Sequence, residues 1–326
     1  MSLMINGQLK NDWFEEQHED GEYVRQDSQF RNWITVDGSA GPSGKDGFKA
    51  EPDRYHLYVS YACPWANRTL IFRELKQLQD LISVSVVHPD MLEKGWYFGA
   101  FPGATHDHIH GYQFLHQVYT HAQPNYSGVV TVPVLWDKQR ETIVNNESSE
   151  IIRMFNGAFN ALTGNTDDYY PQHLRNDIDE INAFVYDNVN NGVYRTGFAT
   201  TQAAYEKAFD RLFDALNQLE QRLSTQRYLV EDVLTEADWR LFVTLVRFDA
   251  VYVGHFKCNL RRIADYPNLS NYLRELYQWP GVASTIHLEH IKRHYYYSHD
   301  KINPTRIVPK GPELDFDAPH DRDRFG

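Results

Sequence analysis

The spacing of apolar residues changes character part-way along the chain. Tyr55-His56-Leu57-Tyr58-Val59 and Ile82-Ser83-Val84-Ser85-Val86-Val87 are short runs rich in apolar and β-branched residues, which predicts strands over 55–60 and 82–87. Residues 65–78 between them read as a helix, so the stretch predicts a βαβ unit with a parallel strand pair. Val129-Val130-Thr131-Val132 and Val134-Leu135-Trp136 add two strands, expected as a hairpin, and helix signals return over 146–155. From residue 172 onward the apolar residues fall at helical intervals, over 174–189, 201–223 and 238–248, with almost no strand signal. The expected architecture is a small mixed α/β sheet followed by an all-helical domain. Thr235-Glu236-Ala237-Asp238 has capping-box spacing with Asp in place of Glu, a feature of helix stability and not of chemistry.

The two ends lack this order. Asp37-Gly38-Ser39-Ala40-Gly41-Pro42-Ser43-Gly44-Lys45-Asp46-Gly47 is a run of turn formers, so residues 1–50 are expected as a long irregular N-terminal arm. An insertion rich in aromatic residues, including Trp96, Tyr97 and Phe98, separates the second and third strands. Beyond 298 the chain carries Pro304, Pro309, Pro312 and Pro319 without periodicity and is expected to wrap the surface as a tail, 299–326. The expected division is therefore 1–50, 51–165, 172–298 and 299–326.

Composition narrows the function classes. A length of 326 residues with 42% hydrophobic content supports two domains with substantial cores. No apolar run is long enough to span a membrane, and Met1-Ser2-Leu3-Met4-Ile5-Asn6-Gly7 lacks the basic and apolar regions of a secretory signal, so a cytoplasmic location is expected. Two cysteines, Cys63 and Cys258, suit a reducing compartment better than a disulfide framework. A net charge of -12 argues against a nucleic-acid partner.

The candidate chemistry begins at Tyr61-Ala62-Cys63-Pro64-Trp65-Ala66-Asn67-Arg68, between a strand and a helix. A thiol at the first turn of a helix faces unpaired N–H groups and the positive end of the helix dipole, both of which favour the thiolate. Ala66 stands where a redox Cys-x-x-Cys would carry its second thiol, so Cys63 must borrow one, and glutathione is the abundant cytosolic donor. Pro133, in Thr131-Val132-Pro133-Val134-Leu135, cannot donate to a ladder, and its X-Pro bond is a candidate for cis geometry. Across from a reactive cysteine, the backbone of Val132 could pair with the peptide backbone of glutathione. Glu147 and Ser148 open the next helix, whose N–H groups suit the γ-glutamyl carboxylate, with Glu147 available to its ammonium.

Cys-Pro before a helix, Val-Pro between strands and Glu-Ser at a helix start, followed by a helical domain, resemble the glutathione transferase fold. Longer runs narrow the match: Tyr61 to Leu70, Met91-Leu92-Glu93-Lys94-Gly95-Trp96, Phe101-Pro102-Gly103-Ala104-Thr105, Thr131 to Lys138, Ile143 to Phe155, Asn190-Asn191-Gly192-Val193-Tyr194, Val246 to Tyr252, and Asn303-Pro304. With these, nearly the whole chain resembles the glutathionyl-hydroquinone reductases, the Xi class of glutathione transferases. The resemblance implies an α/β plus all-α fold, in which 51–165 is a thioredoxin-like glutathione-binding domain and 172–298 the substrate domain.

It also implies a mechanism. Cys63 is the nucleophile; glutathione contacts fall on Trp96, Val129, Val130, Thr131, Val132, Glu147 and Ser148; Tyr194, Tyr252 and Tyr295 line a hydroquinone pocket. Cys63 attacks the sulfur of a glutathionyl-hydroquinone, Tyr194 protonates the departing ring carbon, and a second glutathione resolves the mixed disulfide. Tyr252 and Tyr295 orient the ring or donate to the thiolate. One departure is Val129, where the family pattern has Arg, which puts a charge contact to glutathione in doubt. No metal is implied, and a homodimer is expected because transferase folds commonly dimerise. An Omega-like thioltransferase or dehydroascorbate reductase would use the same Cys63 without needing three tyrosines, and a non-catalytic protein on a transferase fold is a third reading.

The remaining candidates read as structural. His106-Asp107-His108-Ile109-His110, with His116 and His121, lacks clustered Cys or carboxylates and is expected as solvated surface. His287, His290 and His294 are expected as one polar helix face. Cys258 follows a helix, where the dipole does not activate a thiol.

Overall fold

The computed structural model of the chain describes residues 2–10, 20–42 and 44–325. These form two compact units, one built on Gln26–Asp167 with the N-terminal strands, the other on residues 168–325 together with 20–25.

The first unit begins with strands where an irregular arm was expected. Strands β1 (Ser2–Ile5) and β2 (Gln8–Lys10) pair antiparallel, with Ile5 opposite Gln8. Asn6 and Gly7 between them both have positive φ, 50° and 75°, the backbone of a tight hairpin that Asn-Gly favours. Strands β3 (Trp33–Thr35) and β4 (Gly47–Lys49) form a short parallel pair across the turn-rich run. Its close folding explains one glycine, since a Cβ on Gly47 would lie 2.1 Å from the Ser39 carbonyl oxygen.

The main sheet follows the expected βαβ start: β5 (Tyr55–Val59), helix α1 (Pro64–Leu75) and β6 (Ile82–Val86), with β5 and β6 parallel. After helix α2 (Leu115–Ala122) come β7 (Gly128–Val130), β8 (Val134–Asp137), β9 (Thr142–Asn145), helix α3 (Ser148–Gly157) and a short α4 (Asn160–Thr163). The order in the four-stranded sheet is β6-β5-β8-β9, and every residue of β5 and β8 is buried, as central strands covered on both faces require.

Two expectations are corrected here. Residues 129–132 do not form a hairpin with 134–136. Pro133 has no N–H to continue a ladder, and the Val132–Pro133 bond is cis; β7 pairs with β1 instead, while β8 takes β9 as its antiparallel neighbour. Helix α1 also stops at Leu75, short of residue 78. Gln77 adopts the left-handed conformation (φ 56°), and Leu78 N–H and Gln77 N–H donate to the carbonyls of Arg73 and Glu74, the closure that usually calls for glycine.

From residue 172 to 298 the second unit is built of helices, as expected. It comprises α5 (Arg175–Val185), a wide π-type turn over Tyr186–Asn190, α6 (Gly192–Gly197), α7 (Gln202–Arg222) and α8 (Glu236–Arg247). A second π-type turn over Phe248–Tyr252 leads to α9 (Val253–His255), α10 (Pro267–Tyr277) and α11 (Leu288–Ser298). All of α8 is buried, and its start carries the expected box: Thr235 N–H donates to Asp238 Oδ2 at 2.8 Å while Ala237 N–H donates to Thr235 Oγ1 at 3.3 Å. Tyr272 donates to the same carboxylate at 2.7 Å, so Asp238 also ties α10 to α8.

The polar face expected for His287, His290 and His294 is not one. His287 precedes α11, and His290 and His294 are buried beside Ile291 and Tyr295, on the side of the helix that packs inward. The tail does cover the surface, and it ends in an anchor: the fully buried Arg322 guanidinium donates to the carbonyls of Leu223, Gln226 and Arg227. These lie at and just beyond the end of α7, where helix carbonyls lack partners of their own. Among the described residues no helix is long and apolar enough to cross a membrane.

Candidate active site

Cys63 occupies the N-cap of α1 with Pro64 at its first turn, where a missing N–H removes no helical bond. The residue is half-buried, and its Sγ lies 3.6 Å from the Val132 carbonyl oxygen in the cis-proline loop. The neighbouring backbone sorts the sequence candidates. Val129 has its carbonyl taken by the Tyr126 hydroxyl at 3.0 Å, and Val129 and Val130 pair with Leu3 and Ser2 of β1. Thr131 is bonded at both its N–H and its carbonyl by the Tyr119 hydroxyl, at 3.2 and 2.9 Å. Val132 is different: among the described residues its N–H has no hydrogen-bond partner, which leaves an open backbone donor beside the thiol.

The start of α3 is a second cluster in the same unit. Glu147 is its N-cap, with one carboxylate oxygen accepting from Ser149 N–H at 3.0 Å and Ser149 Oγ at 2.8 Å, and the other accepting from Ser28 Oγ at 3.2 Å. Ser148 is buried, and among the described residues its N–H is unpartnered, so the positive end of α3 keeps a donor available. Arg68 links the clusters: buried on α1, it stacks 4.5 Å from the Trp65 ring and directs Nη1 toward Ser148 Oγ at 3.4 Å. Arg68 is a site residue that its local sequence does not mark. A fully buried arginine five residues after the cysteine is recognised only once α1 and α3 are known to pack together. Trp96 sits in the aromatic insertion, buried, with its carbonyl accepting from the first residue of α2 at 3.0 Å.

In the helical unit the three expected tyrosines do meet. Tyr295 on α11 lies 2.7 Å, hydroxyl to hydroxyl, from Tyr194 on α6 and 3.0 Å from Tyr252 at the end of the second π-type turn. Tyr252 and Tyr295 are fully buried and Tyr194 only partly so. Burial, with two phenols alongside, pushes the Tyr295 pKa well up, so its proton stays in place. A directional chain of three hydroxyls uses two protons internally and leaves the third at one end.

The other nucleophile candidate is closed. Cys258 is fully buried, and burial drives its thiol pKa far above the ordinary range. In the first unit, His106 and His108 are exposed, while His110 packs against the rings of Trp136 and His121. Among the described residues no group of three or more His, Cys, Asp or Glu is arranged to hold a metal ion.

Comparison with known proteins agrees with this division. Residues 62–158 match the profile described as "Glutathione S-transferase, N-terminal domain", and residues 202–275 match "Glutathione S-transferase, C-terminal domain". Over 328 aligned positions the chain is 57% identical to glutathionyl-hydroquinone reductase YqjG of Escherichia coli (strain K12), covering 100% of both chains. The chain belongs to the glutathionyl-hydroquinone reductases. Among solved structures, the glutathione-bound form of YqjG from Escherichia coli K-12 superimposes with a TM-score of 0.91 at 56% identity, covering 98% of this chain and 99% of that one. The Xi-class glutathione transferase of Natrialba magadii gives a TM-score of 0.92 at 49% identity, covering 99% and 98%. The α/β plus all-α transferase fold expected from the sequence is therefore the fold of a glutathionyl-hydroquinone reductase.

Proposed function

We propose that this glutathionyl-hydroquinone reductase uses glutathione to convert glutathionyl-hydroquinones to hydroquinones through Cys63. The Cys63 thiolate attacks the glutathionyl sulfur, the carbon–sulfur bond breaks with its electron pair passing to the ring carbon, and that carbon takes a proton. A second glutathione thiolate then attacks the Cys63–glutathione disulfide, releasing oxidised glutathione and the Cys63 thiolate. The balance is one conjugate and one glutathione in, one hydroquinone and one glutathione disulfide out.

The observation that carries this reading is the pairing of a half-buried Cys63 at a helix N-terminus with the open N–H of Val132, in a chain whose other cysteine is entombed. A thiol without a resolving partner suits a substrate that brings its own. Val132 gives the cysteinyl part of glutathione a donor and an acceptor in strand-like pairing, and Ser148 N–H with the end of α3 receives the γ-glutamyl carboxylate, Glu147 its ammonium. Trp96, Val129, Val130 and Thr131 complete the glutathione side in the family pattern. Tyr194, the least buried of the three phenols, delivers the proton to the ring carbon, and Tyr252 and Tyr295 hold its orientation. The names of the Escherichia coli relative and of its glutathione-bound structure support both substrates. We further propose a homodimer acting in the reducing cytoplasm, without a metal.

The test is mass spectrometry after a stoichiometric dose of a glutathionyl-hydroquinone. The expected result is one glutathione adduct on Cys63 with free hydroquinone in solution. An intact conjugate bound without any adduct would mean a binding protein, and faster turnover of dehydroascorbate than of the conjugate would favour the Omega-like reaction.

A further inference from the structure

The short N-terminal segment that joins the helical unit carries a charge to the tyrosine cluster. Thr200 N–H donates to the Gly21 carbonyl at 3.0 Å, and Glu22 pairs with Lys207 at 2.7 Å, which holds residues 20–25 against the start of α7. Tyr23 is buried and stacks on the Tyr194 ring, centroids 6.3 Å apart, and against Phe198 at 5.4 Å. Two residues later the Arg25 guanidinium carbon stands 5.0 Å from the centroid of the Tyr194 ring. Its orientation is fixed, because Nε donates to Asn191 Oδ1 at 2.8 Å, at the N-cap of the helix that bears Tyr194.

From this placement we propose that Arg25 is a positioning residue that holds a positive charge over Tyr194 and makes its hydroxyl a stronger acid. The inference rests on Tyr194 as the proton donor proposed above. A cation over an aromatic face is attracted by the ring quadrupole, and the attraction grows when the hydroxyl ionises and negative charge spreads into the ring. Uncharged groups beside Tyr194 include the hydroxyl of Tyr295, the ring of Tyr252 at 6.2 Å, and the rings of Tyr23, Phe198 and Phe256. Arg195, next along α6, is paired with Asp187 at 2.8 Å, and Glu22 with Lys207. Tyr295, buried and protonated, is a neutral neighbour.

The experiment separates the electrostatic effect from the reaction. The protein is labelled with carbon-13 at the tyrosine ζ position, the Tyr194 signal is identified by its loss in Tyr194→Phe, and the signal is titrated in the unaltered enzyme, Arg25→Lys and Arg25→Met. Arg25→Met is expected to raise the Tyr194 pKa by about one unit, and Arg25→Lys by roughly half of that because the charge remains without its planar fork. Hydroquinone release should slow about threefold in Arg25→Met, in kcat and not in KM. A Tyr194 titration unchanged in both variants overturns the inference. A raised pKa supports it, and if release is then unaffected, the proton-donor reading of Tyr194 is what fails. Should Arg25→Met not fold, Arg25→Lys carries the same comparison.

Discussion

The neighbourhood of Cys63 and the tyrosine cluster are built from different materials. Around Cys63 the open groups are backbone: a helix N-terminus, the N–H of Val132, and Ser148 N–H at the start of α3. The tyrosine cluster is made of side-chain oxygens, three hydroxyls on three helical segments, bonded at 2.7 and 3.0 Å. A backbone site tolerates changes in the side chains that frame it. A site of hydroxyls fails oxygen by oxygen. On the proposed function, the first binds something common to many substrates and the second answers to one ring.

That contrast is tested most strongly by Cys63→Ala, which should abolish hydroquinone formation, while Cys258→Ala leaves the rate within a factor of about two. Substantial turnover by Cys63→Ala would remove the nucleophile from the mechanism. Next comes Tyr194→Phe, expected to slow hydroquinone release roughly 10²-fold while leaving reduction of the mixed disulfide by glutathione nearly unchanged. Stopped-flow measurement of the two half-reactions decides this, and equal slowing of both would assign Tyr194 to packing.

Acid should weaken both units, because each holds a histidine that burial keeps neutral. His56, between the hydroxyls of Ser83 and Ser85 in the first unit, is pushed down to about 3, and so is His255 in the second, where His294 and Lys257 add to burial. Each binds its proton more readily when unfolded, so stability is complete above pH 6.5 and falls as the pH drops from there toward 3. The slope is about 1.4 kcal/mol per pH unit per histidine. Urea unfolding between pH 7.5 and 4.5 measures it, and His56→Gln should lose one proton's worth of that slope; an unchanged slope would place the effect elsewhere. The smallest expected effect is that of Val129→Arg, a few-fold lower KM for glutathione. No change in KM would mean that the position has ceased to matter.

The same contrast explains what the sequence reveals. Cys-Pro, Val-Pro and Glu-Ser each mark a local backbone geometry, so the cis bond at Pro133, the cysteine at the helix start and the Glu147 cap were all readable. Arg68 was not, because its partner Ser148 lies eighty residues away and nothing local announces that α1 and α3 pack. The hairpin was mispaired for a related reason: apolar strands reveal that they are strands but not their neighbours, and β7 found β1. Asn6-Gly7 was a legible hairpin turn hidden by treating the first fifty residues as a single arm. On α11, counting histidines as polar gave the wrong face, since a neutral imidazole packs as an aromatic ring does. The tyrosines became candidates only through family resemblance, because the widened turns at Tyr186–Asn190 and Phe248–Tyr252 shift the helical phase in ways that a uniform period does not foresee.

Arg322 has a consequence for the order in which the protein is made. Its guanidinium closes the carbonyls at the end of α7 from 99 residues beyond Leu223. During synthesis those carbonyls wait until residue 322 has been made, so the helical unit reaches its final hydrogen bonding only after that later segment clears the ribosome. A chain cut short before Arg322 would leave translation with Cys63 and the three tyrosines in place and the helical unit unfastened, prey for quality-control proteases.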